Sequence, residues 1–97
     1  MLIIIWKFRA KRGQEQTFEQ AYGPDGAWVT LFRKGNGYLG TELLRSQDGS
    51  YVTIDRWNSQ EAYAVFQNDH SSDYQLIDDR CTSLTDEETL IGTFFVV

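Results

Sequence analysis

The stretch Tyr51-Val-Thr-Ile-Asp55-Arg-Trp57-Asn-Ser59-Gln-Glu61-Ala-Tyr63-Ala-Val-Phe66 constrains the fold of this chain more than any other. Its first half has the β-branched, alternating character of a strand and ends on an indole. An amphipathic helix starts almost at once, at Asn58 or Ser59, with Asn58 and Glu61 spaced as a capping box. So short a joint dictates the topology around it. It also sets Asp55 and Trp57 at the mouth of whatever space lies between sheet and helix.

The rest of the chain arranges itself around that joint. Leu2–Phe8 predicts a first strand; the run has neither a basic leader nor a small-residue cleavage site, so a signal peptide is not expected. Gln14–Tyr22 predicts a short helix with Phe18 and Tyr22 on one face, stopped by Gly23-Pro24. Asp25 is expected to cap a second short helix, whose apolar stripe is Ala27, Trp28, Leu31 and Phe32. After Gly35-Asn36-Gly37 comes a strand over Tyr38–Gln47, then Asp48-Gly49 as a two-residue hairpin turn into Tyr51–Trp57. Apolar positions vanish from Gln67 and resume at Tyr74, Ile77, Cys81 and Leu84. This predicts a break over Asn68–Asp73, with Ser71 or Ser72 capping the second half. Thr85–Glu88 looks like another cap-like turn, and Thr89–Val97 is the last strand. Strand, helix, strand, strand, helix, strand, with right-handed crossovers, gives an α+β ferredoxin-like βαββαβ sandwich on a four-stranded antiparallel sheet, one domain over residues 1–97.

Charge narrows the partners. The net charge of −5 divides into +3 over residues 1–47, seven bases against four acids, and −8 over residues 48–97, two bases against ten acids. An acidic chain is a poor match for phosphate backbones, so no nucleic acid is expected. No apolar run approaches the roughly 18 residues of a bilayer span, so no membrane partner is expected either. The single Cys81 excludes an internal disulfide framework and fits a reducing cytoplasm. One histidine and one cysteine make no usual zinc site, and the aspartates lack calcium-loop spacing.

The outer strands predict self-association. A sheet with one solvated face alternates apolar and polar residues. Here Ile3 and Ile5 oppose Leu2, Ile4, Trp6 and Phe8, while Ile91, Phe95 and Val97 oppose Leu90, Phe94 and Val96. Either set left bare would expose large side chains worth roughly 1.5–3 kcal/mol each on burial. A gross gain of about 10–20 kcal/mol can exceed the association cost of about 4–15 kcal/mol. A homodimer with sheets face to face is expected.

These segments together resemble the antibiotic biosynthesis monooxygenase family, small dimeric α/β-barrel proteins with a ferredoxin-like protomer. The resemblance is carried by Ile4-Ile-Trp6, by Gly37-Tyr-Leu-Gly40-Thr-Glu-Leu, by Ile54-Asp-Arg-Trp57-Asn-Ser59-Gln-Glu-Ala-Tyr63, and by Leu84-Thr-Asp-Glu-Glu88 with Ile91-Gly92. The strand–Trp–x–Ser–x–x–Ala–aromatic joint is its most specific part. It implies a monooxygenase-like activity on a small phenolic or other aromatic substrate, with no metal or organic cofactor. The alternative is a dimeric module that binds an aromatic or lipophilic molecule without turning it over. A haem-degrading branch carries an Asn on the first strand, a Trp at the joint and a His on the long helix. Trp57 matches that Trp, but the first strand here has no Asn and His70 falls in the interrupted segment.

Oxygenation without a cofactor requires a base to ionise the substrate, an apolar slot for its ring, and donors for the developing oxyanion. Trp6, Trp28, Phe32, Tyr38, Tyr63, Phe66 and Tyr74 supply candidate aromatic walls, with Trp57 at the joint; all can equally be core. Asp55 shares strand parity with Tyr51, Thr53 and Trp57 and is the candidate base, its pKa rising if desolvated. An ion pair with Lys7 or Arg9 on the neighbouring strand is the competing reading. His70, the one histidine, could reach the cleft from the helix break, or simply face solvent.

Overall fold

The computed structural model describes residues 1–97 as a four-stranded antiparallel sheet with helices on one face. In chain order the elements are β1 (Leu2–Ala10), α1 (Glu15–Tyr22), α2 (Ala27–Phe32), β2 (Tyr38–Arg45), β3 (Tyr51–Trp57), α3 (Gln60–Asp69), α4 (Ser71–Cys81) and β4 (Thr85–Phe95). A single 3-10 turn, Thr82–Leu84, joins α4 to β4. The strands lie in the order β2-β3-β1-β4, the ferredoxin-like arrangement.

Strand parity decides which residues meet the helices. Leu2, Ile4, Phe8 and Ala10 of β1 and Tyr51, Thr53, Asp55 and Trp57 of β3 are all buried on that side. They pack with Phe18 and Tyr22 of α1, Trp28, Leu31 and Phe32 of α2, and Phe66 of α3 into one aromatic-rich core. Phe18 and Tyr22, predicted to share a face, stack at 4.3 Å between ring centroids.

The local start and stop signals differ in detail from the sequence reading. Ser59 caps α3 by accepting from the Ala62 N–H at 3.1 Å, so the Asn58–Glu61 capping box does not form. Asn58 is committed elsewhere: its backbone N–H donates to the Gly37 carbonyl at 2.7 Å. Gly26, not Asp25, stands at the start of α2, with no side-chain cap. A Cβ there would lie 2.2 Å from the Ala21 carbonyl oxygen, so the close approach of α1 requires glycine. The predicted break over Asn68–Asp73 narrows to His70 alone (φ −121°, ψ 25°), and neither Ser71 nor Ser72 acts as a cap. The hairpin turn includes Gln47 as well: Ser46 pairs with Ser50 at 2.7 Å, and Gly49 takes φ +88° as the left-handed residue of a three-residue loop.

The largest correction is at the C-terminal strand. Thr85–Glu88 is not a turn but the start of β4, because β1 remains available for pairing as far as Ala10 opposite Thr85. A bulge at Ile91 shifts the register between Ile5/Gly92 and Trp6/Leu90, and so places Glu88 opposite Phe8 on the helix-facing side.

The opposite face of the sheet is bare. Ile3, Ile5, Val52 and Ile54 are half-buried there, while Leu44 and Phe94 are each 46% exposed. The few charged residues on this face are partly paired, as in the 2.6 Å Arg56–Glu42 ion pair.

Candidate functional site

A cavity opens between the helix-facing side of the sheet and α2, α3 and α4. Trp6, Phe8, Tyr22, Trp28, Phe32, Tyr63 and Tyr74 form its aromatic walls, and Thr41, Thr53, Asp55 and Glu88 its polar lining. Its free volume is about 40 Å³. A cavity that accepts benzene measures about 150 Å³, so a ring enters this one only by displacing lining side chains.

Asp55 is brought to the cavity by β3, directly opposite Ile4 of β1. It is 7% exposed. Parity excludes the ion pair considered above: Lys7 lies opposite Val52, so it and Arg9 project from the other face of the sheet. Arg9 instead approaches Asp48 at 3.8 Å. The one hydrogen bond Asp55 accepts comes from the Thr41 hydroxyl, at 2.7 Å to Oδ1. Burial without a cation pushes its pKa up from 3.8 to about 6, with the Thr41 bond opposing the rise.

That bond has a second link. The Tyr38 hydroxyl lies 2.6 Å from Thr41 Oγ1. Because Thr41 gives its only hydroxyl proton to Asp55, Tyr38 donates and Thr41 accepts. Residues three apart on a strand ordinarily face opposite ways. Here a bulge between Tyr38 and Gly40 restores them to one side, opposite Trp57 and Asp55.

Of the residues singled out from the sequence, Asp55, Trp6, Trp28, Phe32, Tyr63 and Tyr74 come together at the cavity. Tyr38 touches it only through Thr41. Trp57 and Phe66 stand behind the wall, 0% and 1% exposed, with ring centroids 4.9 Å apart. His70 does not line the cavity; its ring packs on Phe66 at 5.3 Å, and Nδ1 lies 3.9 Å from Asp73. Thr41, Glu88, Tyr22, Phe8 and Thr53 line the site without having been singled out for it. Of these, Phe8 and Thr53 could have been found, since they share parity with Trp6 and Asp55.

Two groups at the far end bear on ligand chemistry. The Trp28 indole N–H is buried without a well-formed hydrogen bond, directed toward the Tyr22 hydroxyl and the Cys81 thiol. Glu88 stands at the rim, its carboxyl pKa raised by burial and then by the charge of Asp78. Burial also raises the phenols of Tyr63 and Tyr74, reinforced by the Asp55 charge, so both remain neutral donors. No group of three or more His, Cys, Asp or Glu is placed to hold a metal ion.

Comparison with known proteins agrees with this architecture. Residues 1–75 match the sequence profile of the family described as antibiotic biosynthesis monooxygenase. There is no match among curated protein sequences. Among solved structures, a mutant of SnoaB, a cofactor-independent oxygenase from Streptomyces nogalater, superposes with a TM-score of 0.79 at 20% identity, over 98% of this chain and 91% of that one. Rv0793 from Mycobacterium tuberculosis gives 0.76 at 17% identity, over 99% and 94%. A mutant of MhuD carrying two manganese protoporphyrin IX molecules per active site gives 0.75 at 20% identity, over 100% and 95%. At these identities the superpositions establish the fold. The profile match over most of the chain establishes kinship: the protein belongs to the antibiotic biosynthesis monooxygenase family.

Proposed function

We propose that this protein is a cofactor-independent monooxygenase of small phenolic substrates, with Asp55 as the base. The observation that carries this reading is a buried carboxylate without a cation, holding one hydrogen bond, in a cavity walled by aromatic rings. A pKa near 6 leaves Asp55 mostly ionised at neutral pH yet basic enough to accept a proton.

The chemistry balances without an added redox partner. Asp55 takes a proton from an activated ring CH₂ or its enol. The electron-rich anion passes an electron to O₂, and the two radicals join through a C–O bond. The peroxide takes up the proton and loses water. A CH₂ becomes C=O, O₂ supplies that oxygen, and its other atom leaves as water. Tyr63 and Tyr74 are the donors available to the substrate's oxygens. Trp6 and Phe32 flank its ring, while Trp57, Phe66 and Tyr38 brace the wall. No step uses His70, and the cavity offers no imidazole or thiol to a haem iron.

The bare sheet face supports a homodimer as the working form, sheets against each other. The buried lone thiol of Cys81 suits the cytoplasm. The test is oxygen consumption with an anthrone or dihydroxynaphthalene, beside separate measurement of binding. Asp55→Asn should abolish consumption while binding persists. Wild-type protein that binds such rings but never consumes oxygen would make it a carrier instead.

A further inference from the structure

A chain of hydroxyls crosses the wall of the cavity. Thr41 is the one residue that lines both the cavity and an open groove outside it, which it shares with Arg33 and Tyr38. Inward, Thr41 donates to Asp55 Oδ1 at 2.7 Å; outward, it accepts from the hydroxyl of half-buried Tyr38 at 2.6 Å. Both are well-formed O–H···O bonds. The backbone is shaped for this contact. The bulge between Tyr38 and Gly40 turns the two hydroxyls to one side, and Gly40 takes φ +137°, where a side chain is strained.

Asp55 has no comparable link to solvent on any other side. It is 7% exposed, and no Lys, Arg or His lines its cavity. Tyr63 of α3 and Tyr74 of α4 face it, their phenols raised by burial and further by its charge, but neither is bonded to it. Glu88 of β4 is the remaining acid of the lining. On β2, burial raises the Tyr38 phenol, with the Thr41 bond and the exposed Arg33 guanidinium opposing the rise. Tyr38 therefore keeps its proton at neutral pH and stands ready to donate it.

Resting on Asp55 as the base, we propose that Tyr38 and Thr41 form a proton path that keeps this carboxyl in equilibrium with the outer groove while a substrate ring closes the cavity. Each hydroxyl gives up one proton as it takes another. Solvent in the groove protonates the Tyr38 oxygen, the Tyr38 proton passes to Thr41, and the Thr41 proton passes to Oδ1. One O–H bond forms for each that breaks, and nothing is oxidised. Both hydroxyls then point outward, and the reverse sequence empties the carboxyl. No net proton crosses in a turnover that returns the proton to the peroxide. The path re-ionises an Asp55 caught protonated beneath a bound ring.

Carbon NMR of the Asp55 carboxyl in the intact, ligand-free protein, at the midpoint of its titration in each variant, tests this. Wild type should give one averaged line. Tyr38→Phe keeps the Thr41–Asp55 bond yet cuts the chain. Its exchange should slow by at least about a hundredfold, the low end of what a positioned proton-transfer group contributes, so that the line broadens or splits. Thr41→Val should slow exchange as much, and Thr41→Ser should retain the wild-type rate. Exchange in Tyr38→Phe as fast as in wild type, or equally slow in Thr41→Ser, would overturn the path. Oxygen consumption by wild type and Asp55→Asn reports separately on the base. Consumption lost in Asp55→Asn with unslowed exchange in Tyr38→Phe removes the path alone; consumption retained with slowed exchange removes the base alone.

Discussion

Replacing Asp55 with Asn should stabilise the protein, by an amount that depends on pH. A carboxyl lifted from 3.8 to about 6 binds its proton more tightly in the folded chain than in the unfolded one. The sign follows from linkage: the folded state is favoured most below 3.8, and stability falls as pH rises through 6. Above that window the ionised group costs about 3 kcal/mol, from 1.36 kcal/mol per pKa unit. Asparagine mimics the protonated form and can still accept from Thr41, so the variant escapes the loss. Its advantage over wild type should grow from about 0.5 kcal/mol at pH 4 to about 3 kcal/mol at pH 8. The difference cancels the other carboxylates, which both proteins share. Urea unfolding followed by tryptophan fluorescence, at one protein concentration across that range, measures it. A constant offset between the two proteins, or a wild type that is the more stable at pH 8, would refute the claim that Asp55 is desolvated without compensation.

Further consequences can be checked directly. Thr41→Val removes the one hydrogen bond that opposes the rise at Asp55, so its carboxyl titration, followed by carbon NMR, should climb by about one pH unit; Thr41→Ser should leave it in place. Gly35→Ala would put a Cβ 2.7 Å from the Trp57 ring and 2.9 Å from Phe66. Neither ring can retreat, so the cost should be about 1–3 kcal/mol in denaturant unfolding; an unchanged midpoint would show that the wall is looser than described. For the proposed dimer, wild-type protein should sediment as a dimer at micromolar concentration and Ile54→Asp as a monomer with intact circular dichroism, because the substitution would leave an unpaired charge on the bare sheet face; a wild type that sediments as a monomer would remove the dimer.

The path from sequence to this picture was clearest where one element carried the whole signal. The joint from Tyr51 to Phe66 dictated a strand, a buried indole and a helix, and simple alternation placed Asp55 beside Thr53 and Trp57 on one face. Elsewhere the answer lay in pairings that a single segment cannot reveal. Thr85–Glu88 is polar enough to pass for a turn, and only β1 opposite it makes a strand; the bulge at Ile91 then decides which way Glu88 points. Thr41 and Tyr38 meet because of a further bulge, at Leu39, which local periodicity gives no reason to expect. The same limit explains Lys7: its charge made it a natural partner for Asp55, but register assigns it to the opposite face. The Ser59 cap was hidden by its neighbour, since Asn58 is an equally good capping residue until its backbone is seen bound to Gly37.

The single-residue joint at His70 has one more consequence. α3 and α4 are separate rods meeting at His70, whose N–H donates to the Phe66 carbonyl and whose carbonyl accepts from Tyr74, and α4 rests mainly against α2 and α3. Tyr74, which lines the cavity, rides on that second rod. An outward tilt of α4 about this joint would widen the space beside Tyr74 without opening any ladder between strands, since no strand pairs with that helix.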